Sequence, residues 1–160
     1  VMDQHVDISL TVNGEAVTRR VEARTNLVDF LRYDLGLTGS HVGCEHGVCG
    51  ACTVRMDGRI VRGCLTLAAQ ADGGEVWTIE GVTETGEIKG LQEAFVERNA
   101  LQCGFCTPGM LLTLSEMMER FPDANREEIR EFISGNYCRC TGYEAIVDAV
   151  EMARGKGEPT

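Results

Sequence analysis

Gly43-Cys44-Glu45-His46-Gly47-Val48-Cys49-Gly50-Ala51-Cys52, running on through Thr53-Val54-Arg55-Met56-Asp57-Gly58-Arg59-Ile60-Val61-Arg62-Gly63-Cys64, fixes the character of the first half of this chain. Cys44, Cys49 and Cys52 form Cys-x4-Cys-x2-Cys, the plant-type spacing for 2Fe–2S ligation, which asks for one more cysteine downstream. Asp57-Gly58 is a hairpin turn pair. With these two at the turn, Met56 pairs with Arg59 and Val54 with Val61, and the same register sets Cys64 opposite Ala51. The hairpin thereby returns a fourth thiol to the neighbourhood of Cys52. Gly43, Gly47 and Gly50, interleaved with the cysteines, permit positive φ and close backbone approach. A Rieske centre replaces two cysteines by histidines, but four cysteines suffice here, so neither His41 nor His46 is expected to ligate.

Working outward, Ile8, Leu10 and Val12 alternate with Ser9, Thr11 and Asn13, a strand period. Asn13-Gly14 predicts a turn into a partner strand over 16–22. Thr25 predicts the cap of a helix reaching about Leu35, with Leu27, Phe30, Leu31 and Leu35 inward and Gly36 past its end. A further strand is expected over 75–80. Two hairpins and a helix make a small α+β unit. Residues 73–90, rich in Gly, Thr and Glu, read as the junction, dividing the chain into 1–80 and 81–160.

The second half predicts four helices. One spans about 88–99, with Leu91, Ala94 and Phe95 inward. The next opens at Thr107-Pro108, proline being favoured at the first helical position. Its stripe of Met110, Leu111, Leu114, Met117, Met118 and Phe121 is that of a packed core helix. Asn125 with Glu128 announces a third by a capping box, ending near Gly135. A fourth starts at Thr141, presenting Tyr143, Ile146, Val147 and Val150. Short links between amphipathic helices predict an all-α four-helix bundle.

Two cysteine pairs punctuate that bundle: Cys103-x2-Cys106 and Cys138-x-Cys140. On spacing alone structural zinc stays open. Each pair immediately precedes a predicted helix start, so two helix N-termini would face what the thiolates hold. A 2Fe–2S centre on four thiolates carries a formal charge of about −2, or about −3 after reduction, which helix N-termini stabilise.

Composition narrows the class of function. The 160 residues carry 25 acidic and 15 basic side chains, a net charge of −10, which speaks against nucleic acid or an anionic membrane as the main partner. No apolar run approaches the roughly 20 residues of a membrane span, and no stretch reads as a secretory signal. A cytoplasmic chain is expected, where clustered cysteines bind metal more often than they pair.

Taken in order, Gly43-Cys44 through Thr53, Leu101-Gln102-Cys103-Gly-Phe-Cys106-Thr-Pro-Gly109, and Asn136-Tyr-Cys138-Arg-Cys140-Thr-Gly-Tyr143 resemble the iron–sulfur small subunit of the xanthine oxidase (molybdenum hydroxylase) family, over about residues 5 to 153. The resemblance implies a β-grasp ferredoxin-like 2Fe–2S domain followed by the helical 2Fe–2S domain. It implies a large partner subunit with a molybdenum–pterin cofactor and a medium one with FAD, in a heterotrimer or a dimer of heterotrimers. Substrate is oxidised at molybdenum, and single electrons pass through two 2Fe–2S clusters toward FAD. Carried over, Cys103, Cys106, Cys138 and Cys140 hold the molybdenum-proximal cluster, and Cys44, Cys49, Cys52 and Cys64 the FAD-proximal one. Gln102 matches the glutamine that hydrogen-bonds the pterin, and Cys140 the ligand nearest it. The alternatives are a stand-alone two-cluster ferredoxin and a zinc-stabilised interaction module.

Overall fold

The computed structural model describes residues 4–155. Strands β1 (His5–Val12) and β2 (Glu15–Glu22) pair antiparallel from His5 opposite Glu22 to Val12 opposite Glu15. Asn13 and Gly14 join them, both at positive φ, the backbone that a two-residue hairpin of native twist requires. Ile8, Leu10 and Val12 are buried on the inner face of β1.

Helix α1 (Leu27–Asp29) starts one residue later than the sequence suggests. Asn26, not Thr25, is the cap, its Oδ1 accepting from the Asp29 N–H at 2.8 Å. Asparagine ranks above threonine at this position, and the Thr25 carbonyl is already taken by the Ala68 N–H. After one turn the helix widens into a π turn over Phe30–Asp34. Leu27, Phe30 and Leu31 are fully buried, Leu35 only partly, and Gly36 ends the element in the left-handed region.

Strands β3 (Thr53–Met56) and β4 (Arg59–Arg62) keep the expected register, Met56 opposite Arg59 and Val54 opposite Val61. Strand β5 (Glu75–Trp77) is shorter than the predicted 75–80. It lies parallel to β1 and antiparallel to β3, giving the order β2-β1-β5-β3-β4. Beyond it, the supposed linker is partly helical: α2 (Ile79–Thr85) stops at Gly86, φ 78°. Its seven residues bury one large side chain, Val82, too little periodicity to be read against a Gly- and Thr-rich background.

The four expected helices follow as α3 (Lys89–Glu97), α4 (Thr107–Arg120), α5 (Arg126–Phe132, with a 3-10 turn to Gly135) and α6 (Glu144–Gly155). Leu91, Ala94 and Phe95 face inward from α3, and Ile146, Val147 and Val150 from α6. Asn125 and Glu128 form the capping box of α5. Two expectations need correction. Phe121 leaves the apolar stripe: α4 ends at Arg120, and Phe121 is 46 % exposed, its ring edge-on to Phe132. Helix α6 starts at Glu144, because Gly142 and Tyr143 adopt positive φ and turn the chain before it.

Helix α4 is buried almost all round. Beyond the predicted stripe it buries Leu112, Thr113 and Glu116, since a second face packs against β3 and β4. Strand β4 is a sheet edge, and edge N–H groups need partners. The Ile60 N–H finds one in Glu116 Oε2 at 2.6 Å, while Glu116 Oε1 accepts from Arg120 at 2.9 Å. Replacing Glu116 by alanine strips both donors of their acceptor, at an expected cost of about 1–3 kcal/mol. Glu116→Gln, which still accepts from Ile60, should lose less. Equal denaturation midpoints for wild type and E116A would show that the edge does not depend on this carboxylate.

Candidate metal centres

The loop between α1 and β3 carries the first three cysteines. Gly47 and Gly50 lie in it at φ 81° and 75°, a turn geometry that winds the backbone so that its N–H groups point at sulfur. The Val48 and Cys49 N–H groups donate to Cys44 Sγ at 3.3 and 3.4 Å. The hairpin delivers the fourth thiol: Gly63 N–H donates to the Cys52 carbonyl, and Cys64 N–H to Cys52 Sγ at 3.4 Å. The Cys44 and Cys49 thiols are within hydrogen-bonding contact, as are those of Cys52 and Cys64, and Cys44 lies near enough to Cys64 to act on its charge. All four expected residues converge.

Their electrostatics are split. Backbone N–H groups, that of Cys49 foremost and then that of His46, bring the Cys44 thiol down to about 6. Burial, then the neighbouring Cys52 thiol, pushes Cys64 up to about 11. Like charges brought together do not all ionise, so one thiol of the set stores negative charge while another resists it. The histidines point elsewhere. His41 Nδ1 donates to the Phe105 carbonyl at 2.7 Å with its ring stacked on that of Phe105, and His46 Nδ1 donates to the Cys44 carbonyl.

The second set gathers from two loops of the helical half. Cys103 and Cys106 lie before α4, Cys138 and Cys140 before α6. Cys140 Sγ is 3.6 Å from Cys103 Sγ, and the Cys106 and Cys138 thiols are in hydrogen-bonding contact. Burial, followed by the Cys138 thiol, pushes Cys106 up to about 12. Burial also opposes ionisation of Cys138, but hydrogen bonds from the Thr141 hydroxyl (3.2 Å) and from the Cys140 and Thr141 backbone outweigh it and hold that thiol below its ordinary value. Helix α4 does begin at the site, directly after Cys106. Helix α6 does not, so the expected pair of helix N-termini reduces to one, and the Thr141 side chain supplies polarity where the second was expected. Gln102 is exposed beside Cys140, its Nε2 donating to the Cys140 carbonyl at 2.7 Å.

Among the described residues, no three His, Cys, Asp or Glu side chains close on one ion position; the sulfur contacts join the thiols two by two. That donor set suits a 2Fe–2S group, whose irons are held by four thiolates, and the N–H···S contacts suit its negative charge.

What the sequence does not announce is how the two sets meet. Tyr137 N–H donates to the Cys49 carbonyl at 2.8 Å, and Arg62 ties Thr53 Oγ1 to the Gly135 carbonyl. A Cβ on Gly50 would lie 2.5 Å from the Gly135 oxygen, and one on Gly109 would lie 2.3 Å from the Gly50 oxygen. The two thiol-bearing loops touch backbone to backbone. Apolar side chains stay exposed around both: Val48 and Leu65 by the first set, Phe105 and Tyr137 by the second.

Comparison with known proteins bears on both sets. A model of 2Fe-2S iron-sulfur cluster binding domains matches residues 10–77, and one of [2Fe-2S] binding domains matches residues 78–151. The chain is 54 % identical over 153 residues to the caffeine dehydrogenase subunit gamma of Pseudomonas sp. (strain CBB1), covering 94 % of this chain and 91 % of that one. It is 54 % identical over 151 residues to the nicotine 6-hydroxylase small subunit of Paenarthrobacter nicotinovorans, with the same coverage. A chain in the crystal structure of quinoline 2-oxidoreductase from Pseudomonas putida 86 superposes with a TM-score of 0.88 at 48 % identity, covering 98 % of this chain and all of that one.

Proposed function

The chain belongs to the iron–sulfur small subunits of the molybdenum hydroxylase (xanthine oxidase) family, and from that premise we propose that it relays single electrons between a molybdenum–pterin site and FAD held by two other subunits. The family fixes the coarser statement. This is the electron-transfer, two-cluster subunit of an oxidoreductase complex, a ferredoxin-like domain followed by a helical 2Fe–2S domain, and it works with partner subunits. The finer parts are our reading.

Cys44, Cys49, Cys52 and Cys64 hold one cluster, the FAD-proximal one. Cys103, Cys106, Cys138 and Cys140 hold the other, on the molybdenum side. The thiol contacts support one iron for each pair: Cys44 with Cys49, Cys52 with Cys64, Cys103 with Cys140, and Cys106 with Cys138. When bound, each cluster takes up and releases one electron. The chain supplies the rest. Its backbone N–H groups and the Thr141 hydroxyl spread charge from sulfur, the buried Cys52 and the half-buried Cys106 keep water from part of each site, and protons leave the raised thiols as metal binds. Gln102, exposed next to Cys140, is positioned to hydrogen-bond the pterin. The exposed collar of Val48 and Leu65 faces the FAD-binding subunit, and that of Phe105 and Tyr137 the molybdenum-binding one, in a heterotrimer or its dimer.

The boundary between units at residues 80 and 81 is supported by the two family matches, which meet at 77 and 78. No helix among the described residues is long and apolar enough to cross a membrane; a cytoplasmic location is our reading, supported by clustered cysteines that suit metal ligation better than pairing.

One observation carries the relay: two four-thiol sets whose loops are in direct backbone contact. Anaerobically isolated complex should contain about four iron atoms and matching acid-labile sulfide per copy of this chain. Dithionite should raise two distinct paramagnetic signals at low temperature. Two larger chains should co-elute. A colourless, zinc-containing protein without sulfide would end this reading, and an active monomer would end the subunit part of it.

A further inference from the structure

Asn136 is 2 % exposed, and both ends of its amide are used at the boundary between the two halves, one reaching across it and the other anchored on its own side. Its Nδ2 donates to the Gly50 carbonyl at 3.2 Å, and its Oδ1 accepts from Thr113 Oγ1, on α4, at 3.1 Å. The residue that follows, Tyr137, gives its N–H to the Cys49 carbonyl. Two successive carbonyls of the first thiol loop are thus gripped by two successive residues of the segment that enters Cys138.

The grip is rigid on both sides. The Asn136 carbonyl accepts from Tyr143 Oη (3.2 Å), which in turn accepts from the Cys138 N–H (2.8 Å). The Gly50 carbonyl also accepts from the Thr53 hydroxyl at 2.7 Å. A buried amide offers a donor end and an acceptor end, and leaving either unpaired is costly. Thr113, whose own hydrogen lies toward Asn136, therefore orients the amide with its donor toward Gly50. Elsewhere the interface of the two halves is tied by Ile60 to Glu116 and by Arg55 to Glu87 and Ser115. Those ties lie on the sheet and α4, away from the thiol loops. His41, bonded to the Phe105 carbonyl and stacked on its ring, joins the two loops at their other ends; between Cys49 and Cys138 themselves, the hydrogen bonds among the described residues are those of the Asn136 amide and the Tyr137 N–H, with Arg62 behind them.

Resting on the reading of the two thiol sets as cluster sites, we propose that Asn136 is a positioning residue that fixes the separation and mutual orientation of the two centres, through the Cys49 and Cys138 segments and without touching either set of thiols. Its loss leaves the fold and both ligand sets in place but lets the two loops drift against each other.

The test uses the complete, cluster-loaded complex. Asn136→Asp keeps the shape and replaces the donor with an oxygen facing the Gly50 carbonyl. With both centres reduced, their magnetic interaction splits the low-temperature resonance lines, and the splitting reads their separation and orientation. Hydrogen exchange at the Tyr137 amide, followed by mass spectrometry, reads the loop contact itself. N136D is expected to keep wild-type iron and sulfide and the g values of each centre, to lose or collapse the splitting, and to exchange faster at Tyr137. Full iron with wild-type splitting and exchange would overturn the proposal while leaving the relay intact. Fewer than two centres in the wild type would overturn the relay itself, and the proposal with it. If N136D does not retain iron, Thr113→Val decides by the same two readouts: loss of splitting, restored in Thr113→Ser, supports the proposal, and wild-type values in T113V refute it.

Discussion

Cys138→Ser is expected to leave the chain with about half its iron and to slow electron throughput in the assembled enzyme by more than about 100-fold, beyond the roughly 10–100-fold typical of changes to outer-shell partners. The size follows from where Cys138 stands. Hydrogen bonds from Thr141 and the Cys140 backbone hold its thiol below the ordinary value against burial, while burial and the Cys138 thiol push its contact partner Cys106 up. A serine hydroxyl in that place stays protonated and ligates poorly, and on the proposed pairing Cys106 would lose the neighbour with which it shares an iron. The first set draws on none of these residues, so one centre survives. Iron analysis and reduced-state EPR should report a single remaining signal, and steady-state turnover should collapse, because relays in series fail at either station. Cys49→Ser should remove the other signal with the same effect on turnover. Undiminished turnover with half the iron would refute passage through both sites.

Gly50→Ala should produce the largest loss of stability from a single methyl group. At φ 75° an alanine costs about 1–2 kcal/mol. Its Cβ would also stand 2.5 Å from the Gly135 oxygen, which is backbone and has little room to yield. Overpacking of that kind adds about 1–3 kcal/mol. The sum corresponds to a fall in Tm on the order of 10 °C for a chain of this length. Gly86→Ala supplies the control, since Gly86 has a similar φ of 78° but nothing within 4 Å of the added methyl. It should show only the backbone cost of about 1–2 kcal/mol. Equal thermal shifts for the two variants would mean that the loops separate freely and that the backbone contact between them is not a constraint.

Much of this was written where the chain is locally repetitive or locally strained. The alternation of Ile8, Leu10 and Val12, the Asn13-Gly14 and Asp57-Gly58 turns, and the Asn125–Glu128 capping box each determine structure within a few residues, and each held. The register of β3 and β4 brought Cys64 to Cys52 by counting alone. The failures lie where an element is too short to show a period, or where a turn a residue or two away moves a helix end. Helix α2 is too short to display a period of its own and is stabilised by Val82 packing in the helical core. Phe121 fits the stripe of α4 but falls beyond its last turn. Thr141 marks a turn, not a helix start, because Gly142 and Tyr143 bend the backbone first. At the site, the thiols were legible from spacing. Asn136 was not, since an asparagine two residues before a cysteine gives no sign that its amide will reach a carbonyl 86 residues earlier.

Strand β5 is last in sequence among the five and central in space, and among the described residues it is the one strand joining one hairpin ribbon to the other. A chain that stops at Gly74 has both ribbons and the helix that packs on them, Leu10 and Val54 sharing one core with Leu27 and Phe30, but no strand between the ribbons to carry the sheet across. The next three residues stitch them together, and Val82, a few positions on, belongs to the opposite core. The stretch around Val76 therefore serves both halves at once, closing the sheet and leading within a few residues into the helical core.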